Sequence, residues 1–345
     1  PVLAEMAPTA RTGGPAEGPP LRSPRSDATI NSRGPSPSRP APGTAAGAAS
    51  ADRRREALRR RLNSCPDDRE ALARLVEFEV QHGEVQLLVD FLRDLCIASP
   101  WAWRGVCDIL DGPLGLPHDA AAILTGVHAR SPSSELYCRL AQLQPQHATH
   151  WLEQALEVEP SSAAALVALA DLRRGRGELG EAIRLYKAAA KQGPLPVQPR
   201  FYLGEALVHH GHGAEGRQHL FVVLRDPEAP YHIHSALAVA LSYAIEQNHE
   251  ETLRYCRRVD ELDRASPGMG LEHLHIARAL EGLTRLRMGA LEECVHVLRR
   301  ASKVALAVRG AELEDEGQSR LYWDELIWST LIHAEALQGD SEAAE

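Results

Sequence analysis

Residues 163–196 read AAALVALADLRRGRGELGEAIRLYKAAAKQGPLP, and the pattern of this stretch returns 34 positions later in the chain. The matching positions in the two copies are Leu169-Ala170 with Leu203-Gly204, Gly177 with Gly211, and Ala182 with Gly216. A third copy begins at Leu237-Ala238, again after 34 residues. A fixed period of this length indicates a chain built from repeated supersecondary units, and it decides the fold.

Each copy has the apolar spacing of two amphipathic helices, called helix A and helix B here. In the first copy, helix A carries Leu166 and Leu169, and helix B carries Ala182 and Tyr186 at positions one turn apart. Gly177 supplies the permissive backbone that a turn between the helices requires. One hairpin of this size cannot bury its apolar face alone, so neighbouring hairpins are expected to stack and share a core.

The period, the small residues and the closing proline at Pro194 resemble the tetratricopeptide repeat family. The resemblance implies an all-α, right-handed α-solenoid of helix-turn-helix repeats, with about seven hairpins in this chain. Weaker copies are predicted at 69–100, 101–129, 133–158, 231–263 and 270–306. Residues 322–345 are predicted to form a helix A followed by a turn at Gly339-Asp340.

The chain divides into six segments. In chain order they are a disordered Pro/Gly/Ser/Ala-rich tail (1–50), an Arg-rich capping helix (51–65), degenerate hairpins (66–160), two strong repeats (161–230), longer hairpins (231–308), and an acidic connection with an incomplete terminal repeat (309–345). The tail holds ten of the 23 prolines and almost no large apolar residue, so it cannot offset the entropy cost of ordering. Because terminal repeats need a polar cap, we expect the protein to continue beyond Glu345.

Net charge, apolar stretches and cysteine spacing disfavour nucleic-acid-binding, membrane-spanning and secreted proteins. The formal net charge of −9 disfavours general binding to a nucleic-acid backbone and favours basic or neutral partners. No apolar stretch reaches the roughly 18 residues that a membrane span needs, and the N-terminus lacks the apolar core of a secretory signal. The six cysteines form no CxxC pair, so they are interpreted as reduced packing residues in a cytoplasmic protein.

The resemblance also implies where a partner would bind, because helix A residues that face away from helix B line a groove for peptides in this family. Carried onto this chain, these positions are Asp171, Arg174, Phe201, Tyr202, Glu205, His209, His232, Ser235, Ser242 and Tyr243. An aromatic pair beside mixed charges suits a peptide with an apolar anchor and polar ends. The alternative interpretation is that Phe201 and Tyr202 pack between adjacent hairpins, and for Phe201 the two interpretations are nearly equal.

One subtype of the family is disfavoured. Repeats that bind the C-terminal tails of heat-shock chaperones use Lys and Asn to clamp the terminal carboxylate. The corresponding positions here hold Val167, Asp171, Tyr202, His232 and Ala236. The carboxylate clamp is therefore missing, and chaperone tails are not the expected partners.

Two further clusters have alternative interpretations. The histidines at 209, 210, 212, 219, 232 and 234 are numerous enough to suggest zinc, but the first three straddle a predicted helix end where side chains diverge. We predict polar residues at an exposed turn, with one or two of the histidines lining a groove, and no metal and no cofactor. Six arginines at 53–55 and 59–61 could touch nucleic acid or an acidic lipid surface. Alternatively, they could be the solvated face of a capping helix with Ala57, Leu58 and Leu62 on its apolar edge.

Nothing in the chain predicts an active site. The acidic run at 312–316 is interpreted as a solvated connection, and no HExxH, phosphate-binding loop, Ser-His-Asp elbow or dinucleotide turn is present in the sequence. The prediction is a protein-interaction scaffold or adaptor that binds another protein or peptide segment, of unknown oligomeric state. The alternative hypothesis is that the chain is the regulatory or substrate-docking region of a longer enzyme. A third hypothesis is a nucleic-acid-associated adaptor.

Overall fold

A computed structural model describes residues 45–225, 231–265, 271–309 and 317–344. These residues form sixteen α-helices and two short 3-10 helices, and no strand occurs among them. They belong to two compact units, of which the N-terminal unit extends to Ala165 and the C-terminal unit begins at Leu166. Most of the predicted disordered tail, residues 1–44, lies outside the described residues.

The N-terminal unit contains a single helix followed by three hairpins. Its helices are α1 (Ala45–Ser64), α2 (Arg69–His82), α3 (Val85–Ala98), α4 (Trp103–Asp111), α5 (Pro117–His128), α6 (Ser134–Leu143) and α7 (Ala148–Val158). Helix α1 begins earlier than the predicted start at residue 51. The first hairpin begins at a side-chain cap, because Asp68 accepts a hydrogen bond of 2.9 Å from the backbone N–H of Ala71. Gly83, with φ of 72°, ends α2 in the left-handed conformation.

The core of this unit is a continuous stack of leucines. Fully buried members include Leu62, Leu75, Leu88, Leu92, Leu110, Leu124, Leu136 and Leu140. They come from α1 to α6, so each helix contributes its apolar stripe to one shared core. This is the arrangement that short amphipathic hairpins require, since none could bury its stripe alone.

The C-terminal unit begins within α8. Its helices are α8 (Ala163–Gly175), α9 (Leu179–Gln192), α10 (Val197–His209), α11 (Gly213–Leu224), α12 (His232–Ile245), α13 (His249–Ala265), α14 (Leu271–Arg287), α15 (Leu291–Arg309) and α16 (Gly317–Ala344). Turns occur at the predicted glycines: Gly177 and Gly211 have φ of 78° and 84°. Helices α8 to α15 therefore form four hairpins, as the repeat spacing predicts.

Small residues let the helices of a hairpin approach closely, most clearly between α10 and α11. A Cβ atom added to Gly216 would lie 2.7 Å from the carbonyl oxygen of Gly204. One added to Gly204 would lie 2.8 Å from Cγ of Leu220. The matching positions of the preceding hairpin, Ala170 and Ala182, are both fully buried. Small residues recur at these positions in the two copies because a larger side chain would not fit between the helices.

The C-terminal end differs from the prediction. A turn was expected at Gly339-Asp340, but α16 continues as one helix through both residues to Ala344. Ile327, Leu331 and Ala334 of α16 are buried in one cluster with residues of α15. Packing of this face outweighs the roughly 1 kcal/mol that a glycine costs inside a helix. The predicted acidic connection lies outside the described residues from 310 to 316.

None of the described helices combines the length and the apolar character needed to cross a lipid bilayer. All six cysteines are free thiols, and Cys96, Cys107, Cys256 and Cys294 are buried. Burial raises the pKa of Cys96 and of Cys107 to about 12. These two thiols are therefore protonated at neutral pH and act as packing groups, in line with the sequence interpretation.

Candidate functional site

The first helices of the hairpins in the C-terminal unit bring four predicted residues together. Asp171 and Arg174 lie one turn apart on α8, and Tyr202 and Glu205 lie one turn apart on α10. A spacing of three residues places both members of each pair on the same helix face. Arg174 lies next to Tyr202 and Glu205, and its charge acts on Asp171; we call these four residues the helix A site.

Arg174 is the centre of the helix A site. Its guanidinium carbon lies 3.7 Å from the centroid of the Tyr202 ring. Its Nη1 lies 4.0 Å from Oε2 of Glu205, and the side chains of Arg174 and Glu205 are 17% and 33% exposed. A cation held against a ring face with little water around it is attracted more strongly than one at an open surface. The arginine is therefore held in place by contacts within the protein.

The two carboxyl groups of the site are in a weakly polar environment. Asp171 accepts a hydrogen bond from the hydroxyl of Tyr186, a fully buried side chain of α9. Burial raises the pKa of Asp171, against the opposing effects of the Tyr186 hydrogen bond and the Arg174 charge. Burial likewise raises the pKa of Glu205, although the neighbouring His209 and Arg174 act in the other direction. Both carboxyl groups are therefore poorly hydrated.

An aromatic cluster borders the helix A site. The rings of Phe201 and Tyr231 stack with centroids 5.0 Å apart, and Tyr202 meets Tyr231 edge-on at 6.0 Å. His234 meets Phe201 edge-on at 5.8 Å. Burial, together with a hydrogen bond to Tyr202, raises the pKa of Tyr231 to about 12. These contacts hold Tyr202 in a fixed orientation beside Arg174.

Several predicted groove residues have buried side chains. Phe201 is 3% exposed, Ser235 0% and Ser242 1%. Side chains this deeply buried cannot contact a partner in this conformation. Phe201 therefore packs between hairpins, which is the second of the two interpretations of its sequence position.

The remaining predicted residues are His209, which borders the helix A site next to Glu205, together with His232 and Tyr243. His209 is exposed at the last residue of α10, and His232 is half-buried at the first residue of α12. Tyr243 packs against Arg217 of α11, whose guanidinium carbon lies 4.3 Å from the ring centroid, and against Tyr255 of α13. Tyr243 thus contacts the second helices of the hairpins.

Two residues near the site, Tyr231 and His273, were not singled out from the sequence, and His234 was named only as a member of the histidine cluster. Tyr231 and His234 are one helical turn apart and could have been found from that spacing. The contact of His234 with His273 of α14, at 3.9 Å between centroids, joins two different hairpins and has no local signal. Within the described residues, Nδ1 of both histidines, Oγ of Ser235 and Nε of Arg174 are buried without a hydrogen-bond partner.

The histidines singled out in the sequence do not bring their side chains together at one point. His210 and His212 lie 5.6 Å apart between ring centroids at the turn between α10 and α11. No three His, Cys, Asp or Glu side chains in the described parts of the chain are arranged to hold a metal ion.

The Arg-rich helix α1 uses two of its arginines internally. Arg55 and Arg59 donate to the carboxylate of Glu79, at 2.9 and 3.2 Å, and Glu79 is fully buried. The prediction placed Ala57 on the apolar edge, but Ala57 is exposed. The buried stripe of α1 contains Leu62 together with the partly buried stems of the two arginines.

Comparisons with known proteins place the fold. No family model matches the sequence, and none of the curated proteins matches it. Among solved structures, the C-terminal part of a tetratricopeptide repeat-containing protein from Cytophaga hutchinsonii is 11% identical, covers 72% of this chain and 98% of its own, and superposes with a TM-score of 0.51.

Two other solved structures are similar over less of the chain. A tetratricopeptide repeat protein from Parabacteroides merdae is 13% identical, with 66% of this chain and 98% of that chain covered and a TM-score of 0.44. YrrB, described as a tetratricopeptide repeat protein with an unusual peptide-binding site, is 16% identical, with coverages of 59% and 99% and a TM-score of 0.46. The Cytophaga match shows that this chain has the tetratricopeptide-type fold, which confirms the predicted class of all-α helix-turn-helix repeats.

Proposed function

We propose that this protein is an interaction scaffold that binds a segment of another protein at the helix A site, without making or breaking a covalent bond. The observation that carries the proposal is Arg174, held between the Tyr202 ring and the Glu205 carboxylate on a partly exposed surface. The tetratricopeptide-type fold supports it, because stacked hairpins present an extended surface of first helices to partners.

The chemistry of the site suggests how a segment would bind. An apolar side chain of the partner would lie against the rings of Tyr202 and Tyr231, where apolar area can be buried beside a hydroxyl. Polar groups of the partner would be aligned by Asp171, Arg174 and Glu205. Because these groups are already fixed by internal contacts, little side-chain entropy would be lost on binding.

Charge favours a neutral or basic segment. The helix A site contains two carboxyl groups and one guanidinium group, and the chain has a net charge of −9. A donor from the partner would stabilise the poorly hydrated carboxylates of Asp171 and Glu205. An acidic chaperone tail would meet these carboxylates with no Lys or Asn clamp at the equivalent positions, so the prediction against such tails is kept.

The test compares the protein with the variant Tyr202→Ala/Glu205→Gln. A displayed library of random peptides is selected on the unaltered protein, and the enriched peptides are measured by calorimetry. We expect the variant to bind them at least roughly tenfold more weakly, equivalent to about 1.4 kcal/mol. Circular dichroism should show unchanged helicity, since both side chains are partly exposed.

A matched control removes the same kinds of groups elsewhere. Trp101→Ala/Glu135→Gln deletes an aromatic side chain that is 58% exposed and an ion-paired glutamate of the N-terminal unit. Equal binding by Tyr202→Ala/Glu205→Gln, or an equal loss in the control, would contradict the proposed site. If the double variant unfolds, Glu205→Gln alone serves the same comparison.

A further inference from the structure

A second surface lies between the second helices of two neighbouring hairpins. It is a cavity of about 540 Å³ lined by Phe221, Leu224 and Arg225 at the end of α11 and by Arg254, Tyr255 and Arg258 of α13. We call it the helix B cleft. It shares no residue with the helix A site.

The helix B cleft is positively charged. Glu261 is the one acidic side chain that lines it, against three guanidinium groups. Among the described residues, Arg225 has no acidic partner, and its side chain is exposed. In a chain with a net charge of −9, this local surplus of positive charge is unusual.

The two other arginines, Arg254 and Arg258, form only weak, exposed ion pairs. Arg254 pairs with Glu251 at 3.3 Å and Arg258 pairs with Glu261 at 2.9 Å, each within α13 at a spacing of three residues. The arginine side chains are 69% and 50% exposed. Exposed pairs of this kind contribute about 0–1 kcal/mol, so an incoming carboxylate can compete with them.

The wall of the cleft is aromatic and apolar. The Tyr255 ring stacks on Phe221 with centroids 6.1 Å apart, and on Tyr243 at 5.8 Å. Leu224 is half-buried beside Phe221. The stack holds Tyr255 in place, so a flat apolar surface lies next to the three guanidinium groups.

We propose that the helix B cleft binds an acidic segment of a partner protein in which carboxylates flank an aromatic or large apolar residue. The anchor residue lies against Tyr255 and Phe221, while Arg225, Arg254 and Arg258 donate to the flanking carboxylates. Guanidinium groups suit this task because they donate two parallel hydrogen bonds to one carboxylate. Three arginines in an acidic chain do not form the extended basic groove that follows a nucleic-acid backbone, which favours a protein segment.

The test uses a fluorescent peptide composed of Glu and Asp around a single Trp. Fluorescence anisotropy should show saturable binding to the full chain that weakens as salt is added. Arg254→Glu/Arg258→Glu should lower the affinity at least roughly tenfold, because two donors become acceptors. Replacing Trp in the peptide by Ser should also weaken binding, and replacing its acids by Lys should abolish it.

The chain offers a matched control in Arg184. This arginine is 74% exposed and pairs with Glu181 at 2.7 Å within α9, again at a spacing of three residues. Arg184→Glu should bind the probe like the unaltered protein, and so should Tyr202→Ala/Glu205→Gln, which separates this proposal from the helix A site. If the charge reversal perturbs folding, Arg254→Gln/Arg258→Gln replaces it.

Three outcomes would overturn the proposal. They are no saturable binding of the acidic probe, an equal loss in Arg184→Glu, and displacement of the probe by a single-stranded oligonucleotide at lower concentration than by unlabelled peptide. The last outcome would assign the cleft to nucleic acid.

Discussion

The contact of α1 with α2 and α3 and the contact of α10 with α11 bring helices together by opposite means. In the first, a buried carboxylate is surrounded by arginines. In the second, two glycines remove side chains so that backbone meets backbone. The charged contact suits α1, because its arginines can remain partly in water. The contact of α10 with α11 lies inside a repeat and requires close shape complementarity.

Geometry explains the charged contact. Glu79 is fully buried, but Arg55 and Arg59 are 16% and 24% exposed, so their stems cover apolar surface while their charged ends remain near water. The guanidinium carbon of Arg55 lies 5.5 Å from the Phe78 ring centroid, and that of Arg59 lies 5.1 Å from the Phe91 centroid. The stems of the two arginines thus cover the apolar surface that leucine side chains cover between the other helices of this unit.

The largest expected effect comes from removing the carboxylate of the charged contact. Glu79→Ala would leave Arg59 without its acid and Arg55 with only the more exposed Asp52 and Glu84, and should lower the free energy of unfolding by about 3 kcal/mol. Urea denaturation measures the loss, and hydrogen exchange should show that α1 is the region that opens. The triple variant Arg55→Met/Arg59→Leu/Glu79→Leu should stay within about 1 kcal/mol of the unaltered protein. A larger loss in the triple variant would mean that the ion network itself holds α1.

The next effect concerns the close contact of α10 and α11. Gly216→Ala places a Cβ atom 2.7 Å from a backbone oxygen, so the helices must move apart. We expect a net loss of about 2 kcal/mol, even though alanine by itself favours a helix by about 1 kcal/mol. In Gly126→Ala, where no atom lies within 4 Å of the added Cβ, the same substitution should stabilise the protein. Thermal melts of both variants settle the point, and a stabilising Gly216→Ala would refute steric closeness.

Acid should destabilise the C-terminal unit through a half-buried histidine. Burial and the repulsion of His273 lower the pKa of His234 to about 4, below the usual value near 6.5. The folded state therefore favours the neutral ring, and the unfolded chain takes up the proton first. The stability contribution is complete above about pH 6.5 and is lost as the pH falls toward about 4.

The expected loss for this half-buried ring is about 1 kcal/mol between about pH 7.5 and about pH 5. His234→Gln removes the titrating group and should flatten this part of the pH profile. Hydrogen exchange at both pH values locates the loss. A profile unchanged in His234→Gln would show that other groups carry the acid sensitivity.

The smallest effect is expected at an exposed ion pair of the N-terminal unit. Arg104 of α4 pairs with Glu135 of α6, and the two side chains are 61% and 58% exposed. Water screens this pair, so Glu135→Gln should change the free energy of unfolding by less than about 0.5 kcal/mol. A loss comparable to that of Glu79→Ala would show that exposure does not distinguish the two kinds of ion pair.

The candidate site was only partly readable from the sequence. The family resemblance, transferred through the repeat register, singled out Asp171, Arg174, Tyr202 and Glu205, and the register is a local property of the sequence. The burial of Phe201 and Ser235 depends on which neighbouring helix covers them, which spacing does not specify. His234 and His273 meet across two hairpins, and Tyr255 and Arg225 line one cleft only because α11 and α13 pack side by side.

The sequence by itself determined the hairpins, since a 34-residue period of apolar and small residues specifies both the helices and the close pairing inside each repeat. Two glycines of the period, Gly177 and Gly211, adopt the turn conformation, and two others, Gly204 and Gly216, allow the close contact between helices. Only the tertiary structure decided that Arg55 and Arg59 would surround a buried Glu79, and that α16 would continue through Gly339. The physical reason is that local spacing fixes which face of a helix is apolar, whereas burial and charge pairing depend on the neighbour that covers that face.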